Sequence, residues 1–114
     1  MNDILIRLSK SKFRSSFKLN YQDKLYIKEK GLEKIELHAY QFINQRLKPK
    51  IILNDGKQTP TKNHPVFKAQ HATATCCRKC LFKWHKIDMN KELTNDEVDY
   101  IVNIIMLWIR NNMD

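Results

Sequence analysis

The chain of 114 residues has only two glycines, three prolines and three cysteines. So little glycine excludes most backbone loops that bind phosphate, and the short motifs of nucleotide-binding proteins, zinc proteases and serine hydrolases are absent. An odd number of cysteines does not suit a framework of paired disulfides. The longest apolar run, Tyr100–Ile109, covers ten residues and includes Asn103, whereas a membrane-spanning helix needs about 20. We therefore expect no membrane partner.

The first residues, MNDILIRLSKSK, lack the features of a secretory signal, namely a basic start, an apolar block and a small-residue cleavage site. Without an export signal the expected location is the cytoplasm. That compartment is reducing, so its thiols stay free or bind metal. The length and composition predict one soluble domain covering residues 1–114, with a single hydrophobic core.

Acidic residues are missing from a long central stretch, between Gly56 and Ile87. The formal net charge is +9, and its distribution is uneven. Residues 1–30 have eight bases and three acids (+5), residues 49–87 have eight bases and one acid (+7), and residues 88–114 have two bases and six acids (−4). Such a field attracts polyanions, so nucleic acid or another anionic molecule is a candidate partner. Solubility is the alternative explanation.

Hydrophobic periodicity predicts a mainly α fold, and no pair of strands is convincing. A short helix is expected over Asp3–Lys10 within a basic N-terminal segment, residues 1–20. A second helix should begin with Asp23 as N-cap and end at Gly31. The stretch LEKIELHAYQFINQRL has an amphipathic pattern. The C-terminal helix, residues 94–111, should open with a capping box made by Thr94 and Glu97.

Periodicity disappears over residues 49–75, which contain all three prolines. We expect a long irregular central loop here, because Asn54-Asp55-Gly56 is typical of a turn and the residues before proline are biased away from helix. Irregular connections of this length in small domains are usually functional or disordered.

All three cysteines lie in one short segment, residues 76–87, which is expected to be helical from Cys76 to His85, with Thr75 as its cap. Cys77 and Cys80 have C-x2-C spacing, which suits two thiolate ligands of one zinc ion. His85 is a third candidate ligand, and Cys76 or His71 would complete the set. His64 and His38 are more distant options. An iron–sulfur cluster is a minor alternative.

Two other interpretations of the cysteines stay open. The neighbouring cations Arg78, Lys79, Lys83 and Lys86 favour deprotonated sulfur and also form a candidate anion-binding surface. A thiolate activated in this way would serve a thiol-dependent enzyme or redox module as well as a metal site. The third interpretation is an interaction domain whose cysteines are buried structural residues, because free cysteine is among the most buried residue types.

Several segments together resemble the uncharacterised bacterial family called domain of unknown function 4186. They are FRSSFKL, HAYQFINQRL, NDGKQTP, HPVFKAQHATATCCRKCLFKWHKI and YIVNIIMLWI, and the resemblance covers about Lys12 to Ile109. It implies a compact single domain and no particular activity. It also implies that the polar loop and the Cys/His segment form one site, to which the loop would contribute Asn54, Asp55, Lys57, Gln58 and His64.

Overall fold

A computed structural model describes residues 2–50 and 56–113 of the chain. Asn54 and Asp55, two of the predicted site residues, lie outside the described residues. The described part forms seven helices and no strand, which confirms the prediction of a mainly α fold. The helices are α1 (Asn2–Ser9), α2 (Lys12–Ser15), α3 (Tyr21–Lys30), α4 (Leu32–Arg46), α5 (Pro65–Ala72), α6 (Arg78–His85) and α7 (Asn95–Asn111).

The hydrophobic core is built around α7, which packs chiefly against α4 and α5. Seven of its side chains are buried: Val98, Ile101, Val102, Ile104, Ile105, Met106 and Ile109. The amphipathic helix α4 contributes Ile35, Ala39 and Ile43, and the following Leu47 is also fully buried. Burial of these aliphatic faces is the main favourable contribution to folding. Within the described residues, no helix is long and apolar enough to cross a membrane.

The start of α7 follows its sequence prediction closely. The Thr94 side chain accepts from the backbone N–H of Glu97, and the Glu97 carboxylate accepts from the backbone N–H of Thr94. The prediction for α3 was wrong by three residues, because Asn20 is the N-cap and Asp23 is the partner in the capping box. Gly31 ends α3 with a φ of 86°, a conformation that favours glycine.

The central segment is less irregular than predicted, because it contains α5. His64 has an extended backbone, and its imidazole accepts from the backbone N–H of Val66, which makes it the N-cap. Pro65 then occupies the first turn of α5. Backbone N–H groups in a first turn have no partner within the helix, so the missing N–H of proline costs no hydrogen bond there. Pro65, which predicted a loop, is therefore the first residue of a helix.

The N-terminal segment, where only α1 was expected, contains two helices. Ser11 caps α2 by accepting from the backbone N–H of Arg14. The α1–α2 pair lies against the rest of the domain through α5 and α6: α2 packs on α5, and the Arg7 guanidinium lies 5.6 Å from the ring centre of Trp84. This arrangement brings Arg14 to the cysteines.

Candidate metal centre

The three cysteine sulfurs converge, and all lie within 4.8 Å of one another. The Cys80 Sγ is 3.7 Å from the Cys76 Sγ and 3.2 Å from the Cys77 Sγ. Cys76 and Cys77 are buried, whereas Cys80 is partly exposed. All three are free thiols, and together they can hold a metal ion.

The start of α6 positions two of the sulfurs. The predicted helix from Cys76 with Thr75 as cap was wrong, because α6 begins at Arg78 and Cys77 is its N-cap. The Cys77 Sγ accepts from the backbone N–H of Cys80 at 3.4 Å. An N-cap side chain normally turns toward the third residue of its helix. That geometry places the Cys77 sulfur beside the Cys80 sulfur.

A buried polar network fixes the chain before the cysteines. The Thr59 hydroxyl donates to the Cys76 carbonyl at 2.7 Å, and the Gln70 amide donates to the Thr75 carbonyl at 3.1 Å and to the Thr59 hydroxyl at 3.3 Å. These bonds hold the chain in one local arrangement, and within the described residues only the Gln70 Oε1 of this network lacks a partner. The short turn between α5 and α6, where Ala74 has a φ of 58°, is therefore fixed by the side chains of Thr59 and Gln70, which come from two parts of the sequence.

Arg14 reaches the thiols from α2. Its Nη1 donates to the His71 carbonyl at 2.8 Å and to the Cys76 Sγ at 3.5 Å, while Nη2 donates to the Cys80 Sγ at 3.1 Å. Only 9% of this residue is exposed. A buried guanidinium needs a nearby negative charge, and sulfur anions supply one.

The pKa values of the three thiols are shifted in different directions. The pKa of Cys80 is lowered because the thiols of Cys76 and Cys77 donate to its sulfur, with a further contribution from Arg14. The pKa of Cys76 is raised by its bonds to the other two cysteines and by burial. For Cys77 the bond from Cys76 lowers the pKa, but donation to Cys80 and burial outweigh it, and the pKa is raised. The negative charge therefore resides on Cys80.

The two candidate histidine ligands do not join the sulfurs. In His85, Nδ1 lies 2.8 Å from the Tyr100 hydroxyl and Nε2 lies 2.8 Å from the Thr73 carbonyl. Since a carbonyl only accepts, Nε2 carries the proton and Nδ1 accepts from Tyr100. In His71, Nε2 lies 3.1 Å from the carbonyls of Thr59 and Pro60, and the ring stacks on Phe17. His85 lies five residues after Cys80 on α6, about 140° away around the helix, and the group whose donor atoms converge contains the three cysteines.

The predicted anion-binding residues divide into two groups. Lys79, Lys83 and Lys86 are exposed, as an anion-binding surface requires. Arg78 is only 2% exposed, and its guanidinium donates to four backbone carbonyls, those of Leu47, Pro49, Asp88 and Lys91. It joins the ends of two loops, so its assignment to the anion-binding surface was wrong.

The polar loop meets the cysteines through a residue that the sequence did not indicate. Thr59 contacts Cys76, whereas Lys57 is exposed and Gln58 is buried with its amide oxygen accepting from the Gly56 N–H at 2.7 Å. His64 belongs to a separate aromatic cluster, where its Nε2 lies 3.0 Å from His38 Nδ1. The motif segments NDGKQTP and FRSSFKL contain Thr59 and Arg14, respectively. Both segments are among those that resemble the family. That resemblance was the one sequence signal that could have pointed to Thr59 and Arg14.

Fold and site together define a small helical domain with a three-cysteine cluster that can hold a metal ion. The chain belongs to the family described as domain of unknown function (DUF4186), whose family model matches residues 2–110. This confirms the family to which the sequence segments pointed. No solved structure matches the chain.

Proposed function

We propose that this protein binds one zinc ion through the thiolates of Cys76, Cys77 and Cys80. The observation that carries the proposal is the convergence of the three sulfurs. Tetrahedral zinc with Zn–S bonds of about 2.3 Å places its sulfur ligands about 3.8 Å apart. The Cys76–Cys80 separation of 3.7 Å matches that value, and the Cys77–Cys80 separation of 3.2 Å requires a small opening.

Charge supports the same assignment. Three thiolates around a divalent zinc ion leave one excess negative charge, and the Arg14 guanidinium beside Cys76 and Cys80 offsets it. A mononuclear ion also suits three mutually close sulfurs better than an iron–sulfur cluster does, because a [4Fe–4S] cluster binds one cysteine per iron and a [2Fe–2S] cluster needs four ligands divided between two irons. Three protein ligands leave the fourth position of the zinc open to water or to another small molecule.

Elemental analysis of untagged protein, purified under reducing conditions, tests the proposal. We expect close to one equivalent of zinc in the wild type and a loss of it in Cys80→Ala. His85→Gln is the matched control, because that residue lies outside the sulfur group and should leave the metal content unchanged. Less than half an equivalent in the wild type would contradict the proposal, as would metal loss in His85→Gln alone.

A reactive thiolate at Cys80 is a second candidate function. Its sulfur accepts from Cys76, Cys77 and Arg14, and it is the partly exposed member of the cluster. Such a thiolate is a nucleophile in a thiol-dependent enzyme or redox module. Iodoacetamide labelling of metal-free protein at pH 6, followed by peptide mass spectrometry, should modify Cys80 before the other two cysteines. Slow or unselective labelling would rule out this function. Both functions require a reducing compartment, and we place the protein in the cytoplasm.

An anionic partner, with nucleic acid as the candidate, is a further proposal for the outer face of α6. Lys79 and Lys83 lie one turn apart on α6, Lys86 follows the end of the helix, and Phe82 among them is 53% exposed. Lysines that neutralise phosphates, together with an aromatic ring on which bases stack, are typical of single-strand binding.

Fluorescence anisotropy with a labelled single-stranded oligonucleotide at several salt concentrations tests this partner. Changing Lys79, Lys83 and Lys86 to glutamine should weaken binding and reduce its salt dependence. Changing Lys28, Lys30 and Lys34 to glutamine is the control. These residues are exposed on α3 and α4, and their substitution lowers the net charge by the same amount. Equal losses in the two triple variants would mean that only net charge matters.

A further inference from the structure

A cavity of about 170 Å³ lies between α1, α2 and the C-terminal end of α7. Its lining includes the buried residues Leu8 and Arg14 and the exposed residue Lys18. The cavity therefore opens to solvent, and Arg14 connects it to the cysteine cluster. Neither the zinc proposal nor the anion-binding surface on α6 uses this space.

Arg14 has donors left over on the side that the thiols do not occupy. A guanidinium has five N–H groups. Nη1 uses its two N–H groups on the His71 carbonyl and the Cys76 Sγ, and Nη2 uses one on the Cys80 Sγ. Within residues 2–50 and 56–113, the Nε–H and the second Nη2–H have no acceptor. These two N–H groups form the edge of the guanidinium that pairs with both oxygens of a carboxylate.

The surroundings of this edge favour an anion. Lys18 adds a second positive charge to the lining, and the described lining residues include no aspartate or glutamate. The C-terminal end of a helix normally repels anions through its free carbonyls. Here the Trp108 carbonyl near the end of α7 accepts from the Asn112 side-chain amide at 2.8 Å, which occupies one of those carbonyls.

Five of the nine other lining residues are apolar, among them Leu8, Phe17 and Trp108, and the other four are serines and asparagines. Inorganic phosphate would leave these surfaces unfilled, whereas a short hydrocarbon chain would cover them. Burial of such a chain is favourable because it removes apolar surface from water.

We infer that this cavity binds a small organic carboxylate. The carboxylate group pairs with the free edge of Arg14 and with Lys18, and the hydrocarbon part packs against Trp108. This site goes beyond the proposed zinc centre and does not require the metal, because the donors of Arg14 that it uses are distinct from those that contact sulfur.

Butyrate is the probe, with butyramide as its neutral match and inorganic phosphate as the anion without a chain. Titrations followed by two-dimensional ¹H–¹⁵N NMR at constant ionic strength should show saturable shifts with butyrate around Arg14, Lys18 and Trp108. Butyramide and phosphate should bind at least about tenfold more weakly, since each lacks one half of the recognised chemistry. Equal binding of butyramide, or stronger binding of phosphate, would overturn the inference.

Lys18→Met should weaken butyrate binding by about tenfold, because it removes one charge-assisted contact. Lys10→Met is the matched control, since Lys10 is an exposed lysine that does not line the cavity. An unchanged affinity in Lys18→Met would count against the site. Each titration is repeated on metal-free and zinc-loaded protein. If the protein fails to retain added zinc but binds butyrate, the zinc proposal alone is wrong. If it retains zinc but does not bind butyrate, this inference alone is wrong.

Discussion

The Arg14 side chain has two roles. It donates hydrogen bonds to the Cys76 and Cys80 sulfurs, and it lines the neighbouring cavity. Its charge stabilises ionised sulfur, so its removal should weaken zinc binding. Mutation of a residue that hydrogen-bonds to a metal ligand typically lowers metal affinity by about 10–100-fold. We expect a loss in that range for Arg14→Met, measured by competition with a chromophoric chelator.

Lys12→Met is the control for Arg14→Met, because Lys12 is an exposed cation on the same short helix. It should bind zinc as the wild type does. Circular dichroism of both metal-free variants checks that the helices persist. If Arg14→Met and Lys12→Met bound zinc with equal affinity, the guanidinium would have no part in the metal centre.

His64 makes the stability of the domain depend on pH. Its Nδ1 accepts from the Val66 N–H at 3.0 Å, and a protonated imidazole could not accept. Burial, followed by the nearby His38, lowers its pKa to about 4, although Asp23 opposes the shift. In the unfolded chain a histidine titrates near pH 6.5, at about its ordinary value.

Because the folded pKa is the lower one, the unfolded chain binds an extra proton between pH of about 6.5 and about 4. Stability is therefore greatest above this window and falls as the pH falls through it, by at most about 1.4 kcal/mol per pH unit for one group. Urea unfolding at a series of pH values measures the slope. His64→Asn keeps a capping acceptor and should have a shallower slope, the remainder coming from His85, whose pKa is also lowered. Parallel slopes would exclude His64 as the source.

At the same scale, the sequence predicted the cysteine cluster but not its arginine. Cys76, Cys77 and Cys80 lie within five positions of the chain, so their spacing alone indicated that their sulfurs could meet. Arg14 reaches them across 62 positions, which only the packing of α2 on α5 can produce. Arg78 shows the opposite case. It is adjacent to the thiols in the sequence, and this predicted a contact with them, but its guanidinium donates to backbone carbonyls instead.

The first turn of α6 depends on Cys77 in two ways, as N-cap and as proposed zinc ligand. Two substitutions separate these roles. Cys77→Ser retains a capping oxygen, so the metal-free protein should be about as stable as the metal-free wild type. Cys77→Ala removes the cap and should cost about 1 kcal/mol more, measured by urea unfolding in the presence of a chelator. Both variants should lose zinc. Equal stability of the two metal-free variants would mean that the sulfur does not cap the helix.

Among the elements, the long periodic helices were predicted well, whereas the short helices α2 and α5 were missed. The patterns of α4 and α7 extend over 15 and 17 residues, and the capping box of α7 marks its start directly. The eight residues of α5 show no clear period of 3.6, and its start at His64-Pro65 resembles a loop. The four residues of α2 give no periodic signal at all.

At the scale of the whole molecule, the cysteine cluster is where distant parts of the chain meet. Arg14 comes from α2, the His71 carbonyl that it contacts comes from α5, and Cys80 comes from α6. The core around α7 is separate from this junction and is built from buried aliphatic side chains. The sequence predicted the helical class through that core. It gave no basis for the docking of α1 and α2, which depends on contacts between residues far apart in the chain.

Removing zinc should therefore loosen the N-terminal helices more than the core. A ligand at 100 times its dissociation constant stabilises the folded state by about 2.7 kcal/mol, and chelation removes that contribution. Without the metal, no common ion fixes the three sulfurs, so the group that Arg14 contacts is less rigid and holds the N-terminal helices less firmly. We expect hydrogen–deuterium exchange to rise in residues 2–18 after chelation, while the buried part of α7 stays protected. The Cys80→Ala variant should exchange fast in residues 2–18 with or without a chelator. Exchange in the wild type that rises equally in α7 and in residues 2–18 would show that the metal stabilises the domain as one unit and has no special link to α1 and α2.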